Sequence, residues 1–284
     1  MKIIDIIKTD TTTLSMEVFP PKTDDGYAAV EEAAERIADL HPAFMSVTYG
    51  AGGGTSKNTA RIASNLQKNY GVPMLAHLTC ASSSRDTVRE RIREYRELGI
   101  ENIMALRGDL PKDGVLSVDY RHADELIGDI KELAPDICIG GACYPEGHVE
   151  CESQAIDIKN LKRKVDAGCE FLTTQMFFDN ATLYSFLYRI REAGIDVPVC
   201  AGIMPITNKK QVARSVALSG ATIPQRFRTM VDRFGDDPKK MAQAGIIYAT
   251  EQIIDLYSNG VNNVHVYSMN KPEIASGIMD SLSY

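Results

Sequence analysis

The chain has 284 residues, of which 44% are hydrophobic, 24% charged and 7% aromatic, a globular composition that leaves room for one large domain or two small ones. Its formal net charge of -7 makes nucleic acid a poor first candidate as partner, because phosphate backbones are bound through clustered Lys and Arg. The apolar runs, such as residues 137–143, are strand-sized, and none approaches the roughly 20 residues that cross a bilayer.

Residues 1–8 interleave apolar and charged side chains at helical spacing, with no uninterrupted apolar core and no small-residue cleavage site, and read as a short amphipathic helix. From there β-rich and helix-patterned runs alternate. Strands are predicted over 12–19, 44–49, 74–79, 102–106, 137–144, 171–177, 197–203 and 263–268, and helices over 28–40, 56–69, 85–98, 123–133, 154–167 and 181–193. Five helix-to-strand junctions carry a glycine, at Gly71, Gly99, Gly168, Gly194 and Gly260, where a left-handed residue is expected just past a helix end.

Strict alternation argues for a parallel sheet, since parallel neighbours need a crossover. Eight units in about 250 residues is the arithmetic of an α/β fold of the (β/α)8 TIM barrel type. A doubly wound open sheet is the runner-up, but its first strand usually leads into Gly-x-Gly-x-x-Gly, whereas here it leads into Phe19-Pro20-Pro21. The long stretch between the seventh and eighth strands has room for an extra helix, and with no low-complexity linker, residues 1–284 read as one domain.

In such a barrel, function belongs at the C-terminal ends of the strands. Glu17 shares a strand face with Ser15 and opposes Leu14, Met16 and Val18, so its carboxylate is expected to point inward. A partly buried carboxyl group suits general acid work near neutrality, and an interior Glu neutralised by a buried cation is the alternative. His77 reads equally as a ligand contact or a satisfied core histidine. Tyr144 and Tyr267 read as site or rim-packing residues, and Asn270 completes the end of the eighth strand.

Arg107-Gly108-Asp109 places two charges at a turn, as ligand contacts or as a self-contained salt bridge. The glycine-rich run from Gly50 to Ser56 suits anion contact or plain loop flexibility. His148, followed by Asp157, Asn160, Arg163 and Lys164 at helical steps, suits a phosphorylated or adenylated ligand, with an exposed charge-laced helix as the competitor. The six cysteines show no zinc-type spacing, and read as buried thiols in a reducing cytoplasm, with no metal site expected.

Seven phrases in order carry a family resemblance: Glu17-Val18-Phe19-Pro20-Pro21-Lys22, Val47-Thr48-Tyr49-Gly50-Ala51-Gly52-Gly53, His77-Leu78-Thr79-Cys80, Ala105-Leu106-Arg107-Gly108-Asp109-Leu110-Pro111, Tyr144-Pro145-Glu146-Gly147-His148, Leu161-Lys162-Arg163-Lys164-Val165-Asp166-Ala167-Gly168 and Thr174-Gln175. Over essentially its whole length the chain resembles the methylenetetrahydrofolate reductases, flavoproteins whose catalytic unit is a (β/α)8 barrel.

The resemblance implies reduction of 5,10-methylenetetrahydrofolate to 5-methyltetrahydrofolate in one-carbon metabolism. It makes Glu17 the general acid that opens the folate ring to a 5-iminium cation, with hydride then delivered from reduced flavin N5. Asp109 would lie between flavin and pterin. It further implies FAD contacts from Thr48, Tyr49, Ala51, His77, Arg107, Gly108, Asp109, Ala123, Tyr144, His148, Cys151, Asp157, Asn160, Arg163 and Lys164, and substrate contacts from Asp109, Gln175, Gln211, Tyr267 and Lys271. A cytoplasmic homo-oligomer is implied as well. The donor would be NAD(P)H or a cysteine-rich metal-cluster subunit, since Ser215 and Lys271 stand where nicotinamide-using bacterial relatives carry an aromatic residue and an arginine. A folate-binding barrel methyltransferase without flavin, and a non-autonomous flavin subunit of an electron-transfer complex, are the rival readings.

Overall fold

The computed structural model describes residues 1–21, 23–49, 56–109 and 119–282. Eight strands, β1 (Thr13–Val18), β2 (Met45–Val47), β3 (Met74–Thr79), β4 (Asn102–Leu106), β5 (Cys138–Cys143), β6 (Phe171–Thr174), β7 (Val199–Ile203) and β8 (Asn263–Tyr267), form a closed barrel in chain order. Every neighbouring pair is parallel, and β8 returns to β1 with Ser15 opposite His265 and Glu17 opposite Tyr267. The predicted strands are all present. The sixth is shorter than expected, because Gln175, Met176 and Phe177 leave the sheet after the last paired residue, Thr174.

The helices are α1 (Ile3–Ile7), α2 (Tyr27–Ala38), α3 (Ser56–Tyr70), α4 (Arg85–Glu97), α5 (Ala123–Leu133), α6 (Gln154–Asp166), α7 (Asn180–Glu192), α8 (Lys209–Ser219), α9 (Gln225–Phe234), α10 (Pro238–Ser258) and α11 (Pro272–Leu282). Local chemistry starts several of them. Ser84, Ser153, Asp179, Asn208 and Asp237 each cap a helix by accepting a backbone N–H with the side chain. All five predicted junction glycines have positive φ, from 67° at Gly71 to 115° at Gly168.

Between β7 and β8 stand three helices where the sequence suggested one. Gly220, at φ 67°, ends α8, and the Asp237-Pro238 pair begins α10, so the stretch is cut into separate elements. They hold together through an apolar cluster of Met176, Phe178, Ile206, Phe227, Val231 and Met241.

The N-terminal helix closes one end of the barrel. Ile3, Ile4 and Ile7 pack against the inward side chains Phe44, Leu75, Met104, Cys138, Phe171 and Cys200, and Ile3 N–H donates to Asn102 Oδ1 at 2.8 Å. Burying each such isoleucine contributes about 1.5–3 kcal/mol. This end is apolar. The opposite, C-terminal end gathers the polar side chains, and the wider core lies between the strands and their surrounding helices.

Candidate active site

The inward face near the C-terminal ends of β8, β1, β2 and β3 carries Tyr267, Glu17, Ser46 and His77 as a contiguous polar sector. Glu17 Oε2 lies 3.7 Å from His77 Nε2, 3.9 Å from His265 Nε2 and 3.4 Å from Ser46 Oγ. Among the described residues no Lys or Arg is within ion-pair range of Glu17, so a buried cation beside this carboxyl group would have to be one of the two histidines. Tyr267 donates its hydroxyl to the Thr174 carbonyl at 2.5 Å, and burial holds its proton well above the ordinary phenol range. Asn270 serves the site indirectly: its side chain accepts from Phe19 N–H at 2.9 Å and donates to Phe19 O at 2.8 Å, anchoring the chain that leaves β1.

His77 is not a satisfied core histidine. Its Nε2 is buried without a hydrogen-bond partner among the described residues, while its backbone carbonyl accepts from Tyr95. Burial pushes the imidazole down from 6.5 to about 4, against the opposing pull of Glu17, so it is neutral at physiological pH. The unfolded chain therefore binds a proton between those two values that the native chain does not, and native stability falls as pH drops through that window, by up to about 1.4 kcal/mol per pH unit. Urea unfolding at pH 7 and pH 5 is expected to show a larger acid loss for the wild type than for His77→Asn; equal losses would contradict it.

A second group of polar residues surrounds the loops after β4 and β5. Arg107 pairs with Glu150 at 2.8 Å and not with Asp109, so the self-contained salt bridge is replaced by a link between the two loops. Gly108 has φ 88°, and a Cβ there would stand 2.8 Å from Thr79 Cβ, so only glycine fits. Asp109 follows, exposed. Tyr144 meets His148 edge-on with centroids 4.5 Å apart, and His148 N–H donates to Asp157 Oδ2 at 3.1 Å. Burial raises Tyr144 to about 12, lowers His148 and raises Asp157.

Helix α6 divides its charges. Lys164 turns toward the barrel and donates to the Ala142 carbonyl at 2.6 Å, Asn160 is half-buried, and Arg163 is exposed and pairs with Asp124 at 2.6 Å. The charge-laced-helix reading therefore holds for Arg163 alone. Ala123 is buried at the start of α5, and Cys151 is half-buried with its N–H donating to His148 O. Thr48 and Tyr49 are half-buried after β2, with Thr48 N–H donating to Val18 O. Ala51 and the glycine-rich run to Thr55 lie outside the described residues.

Of the residues assigned to substrate, Gln211 and Lys271 are brought together through Thr207, and Tyr267 reaches the strand end that leads into Gln175. Gln175 N–H donates to Cys143 O, which places it beside the end of β5. Gln211 Oε1 accepts from Thr207 N–H at 3.0 Å, and Lys271 Nζ donates to Thr207 Oγ1 at 3.5 Å. Sequence reasoning missed Thr207, and also Ser46 and His265. The signal for His265 was its two-residue spacing from Tyr267 on one strand. Ser215 is buried in α8, so it offers no exposed face to a stacking partner.

Among the described residues no group of three His, Cys, Asp or Glu side chains is placed to hold a metal, and no helix is long and apolar enough to cross a membrane. Five of the cysteines are buried. A groove of about 500 Å³ lined by Lys57, Arg61, Asn65 and Glu94 lies outside the barrel beside α3, and contains none of the residues above.

The family model for methylenetetrahydrofolate reductase matches residues 2–283. The chain belongs to the methylenetetrahydrofolate reductase family. It is 36% identical to the 5,10-methylenetetrahydrofolate reductases of Pectobacterium carotovorum and Escherichia coli, covering 95% of this chain and 89% and 90% of theirs. It is 33% identical to methylenetetrahydrofolate reductase (NADH) 1 of Arabidopsis thaliana, over 99% of this chain and 51% of that one. Among solved structures it is similar in fold to a Clostridium thermocellum protein described as binding two copies of 5-methyl-5,6,7,8-tetrahydrofolic acid, with a TM-score of 0.67, 15% identity, and coverage of 98% of this chain and 96% of that one. Family membership and the closed barrel agree with the expectations from the strand-end phrases, and the reductase class follows with them.

Proposed function

We propose that the chain reduces 5,10-methylenetetrahydrofolate to 5-methyltetrahydrofolate at the C-terminal mouth of its barrel, with FAD as cofactor. The observation that carries this reading is Glu17, inward-facing and flanked by two buried histidines, in a chain of this family.

The residues present fit a flavin dinucleotide. Among the described residues the Nε2 of buried His77 has no hydrogen-bond partner and is available to a ligand, and Lys164 holds a cation at the end of β5 with a backbone carbonyl as its one hydrogen-bond partner. Thr48, Tyr49, Ala51, His77, Arg107, Gly108, Asp109, Ala123, Tyr144, His148, Cys151, Asp157, Asn160, Arg163 and Lys164 would hold it, with the basic pair suited to its pyrophosphate. When bound, the flavin supplies the hydride that such a reduction needs.

The chain's own residues do the rest. Glu17 gives a proton to the folate bridge nitrogen: its O–H bond breaks, an N–H bond forms, and the ring opens to a 5-iminium cation. Asp109 hydrogen-bonds the pterin and offsets the cation's charge, the type of electrostatic stabilisation that is commonly a large catalytic contribution. Gln175 holds the pterin, while Gln211, Tyr267 and Lys271 contact the substrate. NADH is expected to reduce the protein slowly, because buried Ser215 provides no aromatic stacking surface and Lys271 is a point charge without the planar fork of arginine. A reduced cysteine-rich partner protein is then the better donor.

The test is the visible spectrum of the purified protein. A flavin band near 450 nm, bleached by anaerobic reduction and restored by methylenetetrahydrofolate, is expected. A colourless protein that also fails to take up FAD would overturn the assignment and leave the flavin-free methyltransferase. Lys164→Met is expected to weaken FAD binding about tenfold or more, since a hydrogen bond to a charged group is worth about 1.5–3 kcal/mol. A fluorescence titration reads that loss directly.

A further inference from the structure

Beneath Glu17 the barrel interior continues as a chain of polar groups to which the reaction assigns no role. The His265 side chain is only 1% exposed and stacks on Phe44, with ring centroids 5.6 Å apart and planes within 10° of parallel. Its Nδ1 lies 2.8 Å from Ser15 Oγ and its Nε2 lies 3.0 Å from Ser46 Oγ. Ser46 Oγ is in turn 3.4 Å from Glu17 Oε2.

With Glu17 protonated, counting protons orients every bond in this chain. Ser15 Oγ is 2.9 Å from the Val264 carbonyl, which can only accept, so the single hydroxyl proton of Ser15 goes there. His265 Nδ1 must then carry a proton and donate to Ser15. A neutral imidazole protonated at Nδ1 has a bare Nε2, which takes its hydrogen bond from Ser46. Once that proton is committed, Ser46 offers Glu17 a lone pair, which a carboxyl group satisfies; an ionised Glu17 instead draws the Ser46 hydroxyl to itself and leaves the buried His265 Nε2 without its hydrogen bond.

The same number of protons allows one other arrangement, with an imidazolium at His265, an ionised Glu17 and the Ser46 hydroxyl turned toward it. That arrangement buries a cation against Phe44, at a desolvation cost that the neutral chain avoids. The other titratable groups facing Glu17 do not supply a competing charge near neutrality. His77 on β3 is neutral above about pH 4, and Tyr267 on β8 keeps its phenol proton.

We propose that Ser15, His265 and Ser46 form a one-way hydrogen-bond chain that keeps the reactive proton on Glu17 until the folate takes it, so that His265 and Ser46 are positioning residues for the acid step. The proposal rests on the reading of Glu17 as proton donor. When Glu17 has given up its proton, the Ser46 hydroxyl is free to turn toward the new carboxylate.

Two variants test it in the holoprotein. Ser46→Ala removes the lone pair offered to Glu17. His265→Asn keeps a donor for Ser15 but removes the acceptor for Ser46, whose proton can then serve the carboxylate. In both, the pH at which single-turnover folate reduction falls to half its maximum is expected to drop by about one unit, with about a tenfold loss above that pH and recovery of the wild-type rate on its acidic side. The carbon-13 signal of the Glu17 carboxyl, identified by its absence in Glu17→Gln, should titrate at a correspondingly lower pH. Unshifted titrations in the two variants, or a rate loss equal at every pH, would overturn the chain. If Glu17→Gln itself reduced folate at the wild-type rate, the reading of Glu17 would fail, and the carbon-13 titration would still decide whether the serine–histidine chain holds its proton.

Discussion

Glu17→Gln is expected to slow folate reduction by the pre-reduced protein about 10² to 10⁴-fold, the usual worth of general acid catalysis, while FAD uptake and flavin reduction by an artificial donor stay within a few-fold of wild type. The substitution keeps the size of the side chain and the possibility of a hydrogen bond to Ser46, but an amide cannot donate a proton to a tertiary amine at a useful rate. Only the folate half-reaction needs that proton, so the two halves should separate cleanly. Single-turnover absorbance in each direction measures them independently. Loss of both halves would mean that Glu17 supports the architecture of the site and not the acid step.

Gly202→Ala is expected to destabilise the barrel by about 1–3 kcal/mol or more, the range for forcing extra volume into a packed interior, and to weaken folate binding with it. A Cβ at Gly202 would stand 2.2 Å from the Thr174 carbonyl oxygen and 2.6 Å from Tyr267 Oη. The carbonyl belongs to β6, and Gly202 N–H already donates to Thr174 Oγ1 at 2.8 Å, so β7 cannot retreat without giving up that bond. Moving Tyr267 relieves only the second of these contacts, so β6 and β7 must also part at the Thr174 carbonyl, and the Tyr267 hydroxyl is expected to lose its bond to that carbonyl. Thermal unfolding and the folate KM should therefore change together. Gly128→Ala provides the contrast: nothing lies within 4 Å of a Cβ in α5, and alanine there is expected to be neutral or stabilising by up to about 1 kcal/mol. A Gly202→Ala protein as stable as Gly128→Ala would contradict the packing account.

Much of the architecture was legible because its determinants are local. The five junction glycines mark helix ends through a backbone conformation that other residues adopt at a cost, and all five have the expected positive φ. Alternation of side-chain faces along β1 was enough to turn Glu17 inward, since successive Cβ atoms in a strand point to opposite sides. The three-way division of the stretch between β7 and β8 was missed, although Gly220 and Asp237-Pro238 mark its breaks in the same local language.

Partnership was a different matter, because it depends on register across elements far apart in the chain. No pattern along the sequence says that Arg107 chooses Glu150 over Asp109 two residues away, or that Thr207 joins Gln211 to Lys271. Closing eight strands into a ring brings Ser15 opposite His265 and Glu17 opposite Ser46, which turns four separate polar residues into one connected interior. Dihedral preference and two-residue periodicity along the chain were enough to set the strands, their order and the inward aim of Glu17. Only the tertiary structure decided which groups stand near that carboxyl, because barrel closure places the first strand beside the last and buries their polar side chains where each must satisfy the other.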